Sequence, residues 1–302
     1  MQLGMIGLGK MGNFMSQRLM QGGHDVVAYD PAAKARKALV DAGGKAVDSM
    51  DKLIKALKAP RAVWMMVPAG KIVDETVEAL AGKLAKGDVV IDGGNSNYKD
   101  DQRHAALLSK RGINFVDCGT SGGVWGLKEG YSMMVGGDRK VVNHLKPLFE
   151  ALAPGKAKGW GHVGPIGSGH FVKMVHNGIE YGLMQAYAEG FSVMKHKQEF
   201  ALDLEQIAQI WRYGSVVRSW LLDLTAEALK ENPEMKDIAP YVADSGEGRW
   251  TVAEAIDLDV PAPIITASLI ERLRSRDDDS FSDKLLSAMR NQFGGHAMKK
   301  ED

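Results

Sequence analysis

The sequence predicts an α/β N-terminal domain followed by an all-α C-terminal domain, with residues 1–165 in the first and 166–302 in the second. Two observations carry this reading. Over the first part of the chain, short β-rich runs alternate with helical stretches, the pattern of parallel βαβ units. Between Pro154 and Gly169 the texture changes to Gly155, Gly159, Gly161, Gly164, Gly167 and Gly169 with two prolines, which reads as a hinge; beyond it the apolar spacing is helical. A length of 302 residues suits two domains, and 45% apolar residues supply a core for each.

Strands are expected at Leu3 to Ile6, Val26 to Tyr29, Ala62 to Val67, Val89 to Ile91 and Phe115 to Asp117. Helices are expected at His170 to Lys197, Leu204 to Leu229, Val252 to Asp257, Pro263 to Arg274 and Asp283 to Phe293. There is no internal repeat or low-complexity tract, and the tail from Lys299 to Asp302 is expected to fray.

Gly7-Leu8-Gly9-Lys10-Met11-Gly12 follows the first strand directly and opens a helix, the context in which G-x-G-x-x-G marks a Rossmann domain. Gly7 makes the tight turn, Gly9 lets backbone approach a pyrophosphate, and Gly12 lets helix and strand pack closely. The helix N-terminus faces the anion with unpaired N–H groups. Gly7, Leu8, Gly9, Met11 and Gly12 are therefore candidate cofactor contacts. Asp30 ends the second strand 18 residues after Gly12, where a carboxylate can bind the adenosine ribose and repel a 2′-phosphate. NAD is the expected cofactor, with Lys34 and Arg36 near enough to admit NADP more weakly.

Balanced charge, with 38 basic and 38 acidic residues, removes the basic field that nucleic acid or an anionic membrane selects. The longest apolar run, Ala62 to Ala69, contains Pro68 and is far shorter than the roughly 20 residues of a membrane span. The opening Gln2 to Ile6 reads as a strand and leaves no room for a secretion signal. A single cysteine, Cys118, precludes an intramolecular disulfide and a multi-thiolate metal site, so a reducing cytoplasm is expected.

Three loops follow candidate strands, where parallel sheets bind ligands. Val67-Pro68-Ala69-Gly70 supplies candidate cofactor contacts at Val67, Pro68 and Ala69. Asp92-Gly93-Gly94-Asn95-Ser96 allows close backbone approach and offers the Asn95 amide as donor and acceptor. Ser121, Gly122 and Gly123 present a hydroxyl and backbone N–H groups suited to a carboxylate.

The helix that leaves the glycine-rich segment carries Lys173, His176, Asn177, Glu180 and Tyr181 within an arc of about 140°, at 100° per residue, with the apolar residues outside it. A lysine beside apolar surface and a cationic nicotinamide can act as a neutral amine base, and Glu180 can supply a proton elsewhere on the same substrate. No metal is expected, since no second ligand falls at metal spacing with His176 outside this face.

These segments together closely resemble the 6-phosphogluconate dehydrogenase family: Gly7 to Gly12, Asp92 to Ser96, Ser121 to Gly123, and Gly169-His170-Phe171-Val172-Lys173-Met174-Val175-His176-Asn177-Gly178-Ile179-Glu180-Tyr181. Gly246 to Thr251, Arg272 and Arg290 to His296 extend the match through nearly the whole chain. The resemblance implies oxidative decarboxylation of 6-phosphogluconate to ribulose 5-phosphate and CO2, with reduction of NAD. It implies that Lys173 is the general base and acid at the C3 hydroxyl and that Glu180 protonates the enediol at C1. Asn95, His176 and Asn177 would orient the sugar, and Ser121, Gly122 and Gly123 would hold its carboxylate. Tyr181, Arg249, Thr251, Arg272, Arg290 and His296 would form the phosphate site, where arginine forks suit a dianion.

The chain departs from the family's long members in three ways. It is much shorter, so it resembles a short form whose subunits intertwine as a homodimer or homotetramer, with Arg290 and His296 entering a neighbour's site. Arg249 stands where lysine is common. Tyr29-Asp30-Pro31 replaces the basic NADP reader, in keeping with NAD. A 3-hydroxyisobutyrate-type dehydrogenase shares the fold and the helix lysine but needs neither a phosphate site nor the second acid. A non-catalytic NAD-sensing protein would need neither Lys173 nor Glu180.

Overall fold

The computed structural model describes residues 1–299; residues 300–302, within the tail expected to fray, lie outside the described set, as does the side chain of residue 293. The chain divides into two units, Met1–Asn177 and Gly178–Asp302.

The first unit is built on one sheet whose strands are β1 (Gln2–Ile6), β2 (Asp25–Tyr29), β3 (Lys45–Val47), β4 (Ala62–Met65), β5 (Val89–Asp92), β6 (Asn114–Ser121), β7 (Ser132–Gly137) and β8 (Trp160–Gly164). Their order is β3-β2-β1-β4-β5-β6-β7-β8. Every neighbouring pair is parallel except β6 and β7. The connecting helices are α1 (Lys10–Gln21), α2 (Ala33–Asp41), α3 (Met50–Ala56), α4 (Lys71–Ala81), α5 (Tyr98–Ser109), α6 (Gly126–Glu129) and α7 (Arg139–Leu152). Alternate strand residues feed two cores. Leu3, Trp64 and Ile91 pack with Met15 and Phe149 on one face, while Ile6, Val63 and Val90 pack with Val77 and Leu108 on the other. A sheet buried on both faces explains why its strands read as nearly continuous apolar runs.

Five strands lie where the sequence places them, although β4 stops at Met65, short of the expected Val67. The other three escape the pattern. The edge strand β3 has three residues, β7 ends in Gly136-Gly137, and β8 occupies part of the glycine-rich segment read as a hinge, with Gly161 and Gly164 inside it. Glycine signals turns in sequence, but here the sheet ladder holds it extended.

The long helix α8 (Ser168–His196) belongs to both units, and α9 (Leu204–Trp211), α10 (Trp220–Glu231), α11 (Glu247–Asp257), α12 (Pro263–Arg274) and α13 (Phe281–Gly294) complete the second. The expected continuous helix from Leu204 to Leu229 is instead two. Gly214 adopts φ +71°, and the Ser219 hydroxyl accepts from Leu222 N to start α10 afresh. Likewise α11 begins at Glu247, before the expected Val252, because Gly246 at φ +99° forms its N-cap. Phe191, Ala208, Leu222, Ala226 and Leu229 form a small core of this unit. Among the described residues no helix is long and apolar enough to cross a membrane.

Strand order sets out the site. The carboxyl ends of β2, β1, β4, β5 and β6 lie side by side and bring Asp30, the Gly7 turn, Val67, Asp92 and Ser121 onto one rim. The order reverses between β1 and β4, the switch point at which such sheets bind ligands.

Helix α8 meets this sheet at Gly119 of β6. A Cβ there would lie 2.4 Å from the Lys173 Cβ and 2.7 Å from the Gly169 carbonyl oxygen, so only glycine permits the approach. Gly119→Ala is expected to lower stability by roughly 1–3 kcal/mol through overpacking, read as a fall in the urea midpoint at unchanged m-value.

Candidate active site

The glycine turn has the form that a dinucleotide requires. Gly7 sits at φ +92°, and a Cβ on it would lie 2.4 Å from the Met66 carbonyl oxygen. A Cβ on Gly12 would lie 2.0 Å from the Gly7 oxygen. Gly9, by contrast, has open space where a Cβ would be, and it begins α1 with no side-chain cap and no acid in the first turn. The α1 N-terminus thus keeps its N–H groups for an anion, and the residues present fit NAD. Asp30 accepts from Leu8 N at 2.7 Å and from Ala32 N at 2.8 Å, which ties the end of β2 to the turn. Arg36 donates to the Asp30 and Pro31 carbonyl oxygens, which holds its guanidinium beside this acid. Met11 is half-buried in the first turn of α1, and past β4 Val67 is half-buried while Pro68 and Ala69 are exposed.

Asn95 is exposed on a loop fixed from beneath by Asp92, whose carboxylate accepts from Gly94 N at 3.0 Å and from the Ser96 hydroxyl at 2.6 Å. Ser121 ends β6, and Gly122 and Gly123 follow at φ +137° and +51°, conformations that favour glycine.

Lys173 lies on α8 with its side chain buried, and its Nζ donates to Asn177 Oδ1. His176 Nδ1 meets the same oxygen at 3.0 Å. The structure therefore joins three of the expected residues, Lys173, His176 and Asn177, in one hydrogen-bonded group. Glu180 follows on the same helix, half-buried.

The start of α8 is held by acids that sequence reasoning did not assign to the site. Asp117, buried on β6, accepts from Gly167 N at 2.8 Å and from His170 N at 3.0 Å. The His170 ring, fully buried, meets Asp101 of α5 through Nδ1 at 2.7 Å. Burial opposes charge on this imidazole, but the Asp101 carboxylate outweighs it, helped by Asp92 and Asp117, and pushes His170 up to about 9. Burial pushes Asp101 up to about 6, against the pull of His170. Asp92, Asp101 and His170 each place one metal-ligating atom within 4.8 Å of the others, a grouping that spacing around His176 does not reveal. A sequence signal did exist: Asp92 ends the apolar run Val89 to Ile91, and Asp117 directly follows the apolar pair Phe115-Val116. Cys118, beside Asp117, is buried, and burial pushes its thiol well above the usual range, which leaves it inert.

In the second unit, Arg272 lies over the Tyr181 ring with its guanidinium carbon 3.5 Å from the centroid, while its Nη1 donates to the Ala243 carbonyl oxygen at 2.8 Å. The Tyr181 hydroxyl meets the Ser245 hydroxyl at 2.9 Å, and Ser245 donates to the buried Glu247 carboxylate. Ser245 and Glu247 were not among the expected residues; they flank Gly246 within a segment that was. Arg249 is ion-paired to the buried Asp244, and the Thr251 hydroxyl donates to the Glu247 carbonyl oxygen at 2.8 Å. Thr251 also packs where α8 passes at Gly178, whose Cβ would lie 2.7 Å from the Thr251 Cγ2. Arg290 is exposed on α13, and His296 follows that helix, its carbonyl oxygen accepting from Asn291 Nδ2 at 2.9 Å.

Two family models cover almost all of this architecture: the NAD binding domain of 6-phosphogluconate dehydrogenase matches residues 2–164, and the 6-phosphogluconate dehydrogenase C-terminal domain matches residues 169–284. The chain belongs to the 6-phosphogluconate dehydrogenase family. A member from Haloferax volcanii, the NAD(+)-dependent, decarboxylating 6-phosphogluconate dehydrogenase, is 46% identical over 100% of both chains. The Plasmodium falciparum 6-phosphogluconate dehydrogenase, solved in its apo form and with NADP+ or 6-phosphogluconate, superposes with TM-score 0.85 at 29% identity. That match covers 100% of this chain and 67% of the larger one. A 3-hydroxyisobutyrate dehydrogenase from Mycobacterium tuberculosis shares the fold, with TM-score 0.74 at 21% identity over 92% of this chain and 94% of its own.

The His170 shift makes stability depend on pH in a definite direction. Its raised value means that the stabilisation is complete below about 6.5, the unfolded value, and is lost as the pH rises through about 9. Thermal unfolding should show the melting temperature falling across this window, and His170→Gln should lose that part of the fall.

Proposed function

We infer that this chain is an NAD-dependent 6-phosphogluconate dehydrogenase that oxidises and decarboxylates its substrate to ribulose 5-phosphate and CO2. The observation that carries the reading is the Lys173, His176 and Asn177 group on the same helical face as Glu180, in a chain aligned end to end with an NAD(+)-dependent, decarboxylating relative. When bound, NAD supplies the acceptor for the hydride that leaves C3.

We assign the chain's own residues as follows. Lys173, as the neutral amine, takes the C3 hydroxyl proton while the C3 hydrogen departs as hydride. Asn177 holds that amine at a fixed height, since its amide oxygen accepts from Lys173 Nζ and is itself met by His176 Nδ1. The resulting 3-keto acid breaks its bond to the carboxylate and releases CO2. Lys173 returns its proton to the C3 oxygen, giving an enediol; Glu180 then protonates the carbon that becomes C1 of the product while Lys173 takes back the hydroxyl proton at the former C3, leaving the ketone. Ser121, Gly122 and Gly123 receive the substrate carboxylate, and Asn95 orients the sugar.

Tyr181 and Arg272 receive the phosphate, with Ser245 aiming the Tyr181 hydroxyl. Thr251, already bonded to its own helix, supports this cluster by packing, whereas Arg249 reaches the phosphate on leaving Asp244. Arg290 and His296 complete the site of a neighbouring subunit in a homodimer or homotetramer. Exposed Phe281, Leu285, Leu286 and Met289 on α13 support an association of this kind. Asp30 favours NAD by repelling a 2′-phosphate, and Arg36, engaged with two carbonyl oxygens, leaves NADP as the weaker cofactor.

Purified protein given 6-phosphogluconate with NAD, and then with NADP, should reduce both and release one CO2 per reduced nicotinamide, faster with NAD. Reduction without CO2 would favour a simple hydroxyacid dehydrogenase, and silence would refute the assignment. Lys173→Met should lower kcat by more than about 1,000-fold while NAD affinity stays within a few-fold. Tyr181→Phe should raise KM for 6-phosphogluconate with a smaller change in kcat, which steady-state kinetics would resolve. Asp30→Ala with a basic residue at position 31 should move the kcat/KM ratio toward NADP, and an unchanged ratio would remove Asp30 as the reader.

A further inference from the structure

The buried carboxylates behind the nicotinamide-side rim come from three elements. Asp92 is the last residue of β5, Asp101 lies in α5 and Asp117 lies on β6. Each has a separate task. Asp92 fixes the loop that carries Asn95, Asp117 caps the start of α8, and Asp101 pairs with His170. The one basic side chain described among them is His170, which stands one turn before Lys173 on α8. Its backbone N–H goes to Asp117, its ring to Asp101, and one of its ring nitrogens lies within 4.8 Å of ligand atoms of Asp92 and Asp101.

We propose that His170 is a positioning residue for the dehydrogenation step: its backbone N–H on Asp117 and its buried ring on Asp101 tie α5, which follows the Asn95 loop, to the first turn of α8, so that Lys173 emerges at one fixed height. Two features make this more than a fold contact. The Lys173 stem has no slack, because it passes Gly119 where a single methyl group would not fit. Any shift of the first turn of α8 is therefore transmitted to the Lys173 amine. In addition, three acids around one imidazole would repel each other without it, and two of them hold segments that bear expected active-site residues. The proton of the pair stays in place through turnover, so His170 acts through geometry and not as an acid.

The proposal rests on the reading of the site as a 6-phosphogluconate dehydrogenase, and its test separates the two. His170→Gln, and the doubly neutral His170→Gln with Asp101→Asn, remove the imidazole; the double variant keeps an amide pair and leaves no unpaired carboxylate at position 101. Both are expected to lower kcat at least tenfold, with KM and the NAD dissociation constant changed less than threefold. The primary deuterium isotope effect on kcat, measured with 6-phosphogluconate deuterated at C3, should rise, because a misplaced amine slows the chemical step itself. A loss of folded protein alone would lower kcat and leave that isotope effect unchanged.

Amide exchange over residues 92–96 and 167–173 should quicken at least tenfold in the double variant, a readout independent of turnover. Wild-type kcat and isotope effect in the folded double variant would overturn the proposal. So would failure of both variants to fold, which would reduce the pair to a folding element. A stoichiometric metal ion in the native protein, whose removal by chelator reproduces the loss, would also overturn it. A wild-type protein that turns over no 6-phosphogluconate but shows the exchange change would refute the function and keep the coupling.

Discussion

The seat of α8 on β6 is the constraint on which the geometry of the candidate active site depends. Two contacts define it: the Asp117 carboxylate, which takes the N–H groups of Gly167 and His170, and Gly119, which lets the Lys173 stem lie against the strand. A helix start leaves N–H groups without partners, and burying them beside a sheet would be costly. A strand carboxylate removes that cost and fixes the helix in rotation as well as height. The lysine amine is thereby placed by backbone and sheet instead of by a mobile loop, the rigidity that its proposed proton transfer at a single oxygen requires.

The rest of the first unit serves that placement. Parallel strands align their carboxyl ends, so the residues following each strand share one rim without any contact among them in sequence. The glycine turn, the Asp92 loop and the end of β6 are separate solutions to one problem, bringing backbone close to a ligand where side chains would obstruct it. In the second unit a different chemistry prevails. Tyr181, Arg272, Ser245 and Glu247 form a network in which each polar group orients the next, which suits the tetrahedral anion proposed for it.

Much of this was legible in the sequence. The glycine motif, its acid at Asp30 and the mixed face of α8 depend on local periodicity, and periodicity survives in a single chain. What was hidden depends on partners remote in sequence. His170 and Asp101 are 69 residues apart, and Asp117 and His170 are 53 apart, so no spacing rule joins them. Strands β7 and β8 were hidden for another reason: their glycines carry turn signals, which the ladders of β7 to β6 and of β8 to β7 override. Glu247 was passed over because an acid beside an expected phosphate site looks like surface charge until its burial is known.

The strand order also separates two kinds of change. Four strand spacings divide Asp30 after β2 from Ser121 after β6, roughly 19 Å at the usual 4.8 Å per strand. At that distance a new charge beside the proposed adenosine end is screened by solvent from the carbon chemistry proposed at the other end. Descendants of such a scaffold can exchange one nicotinamide currency for another through a few surface substitutions without renegotiating catalysis. Redox partner and reaction are, in this architecture, separately heritable traits.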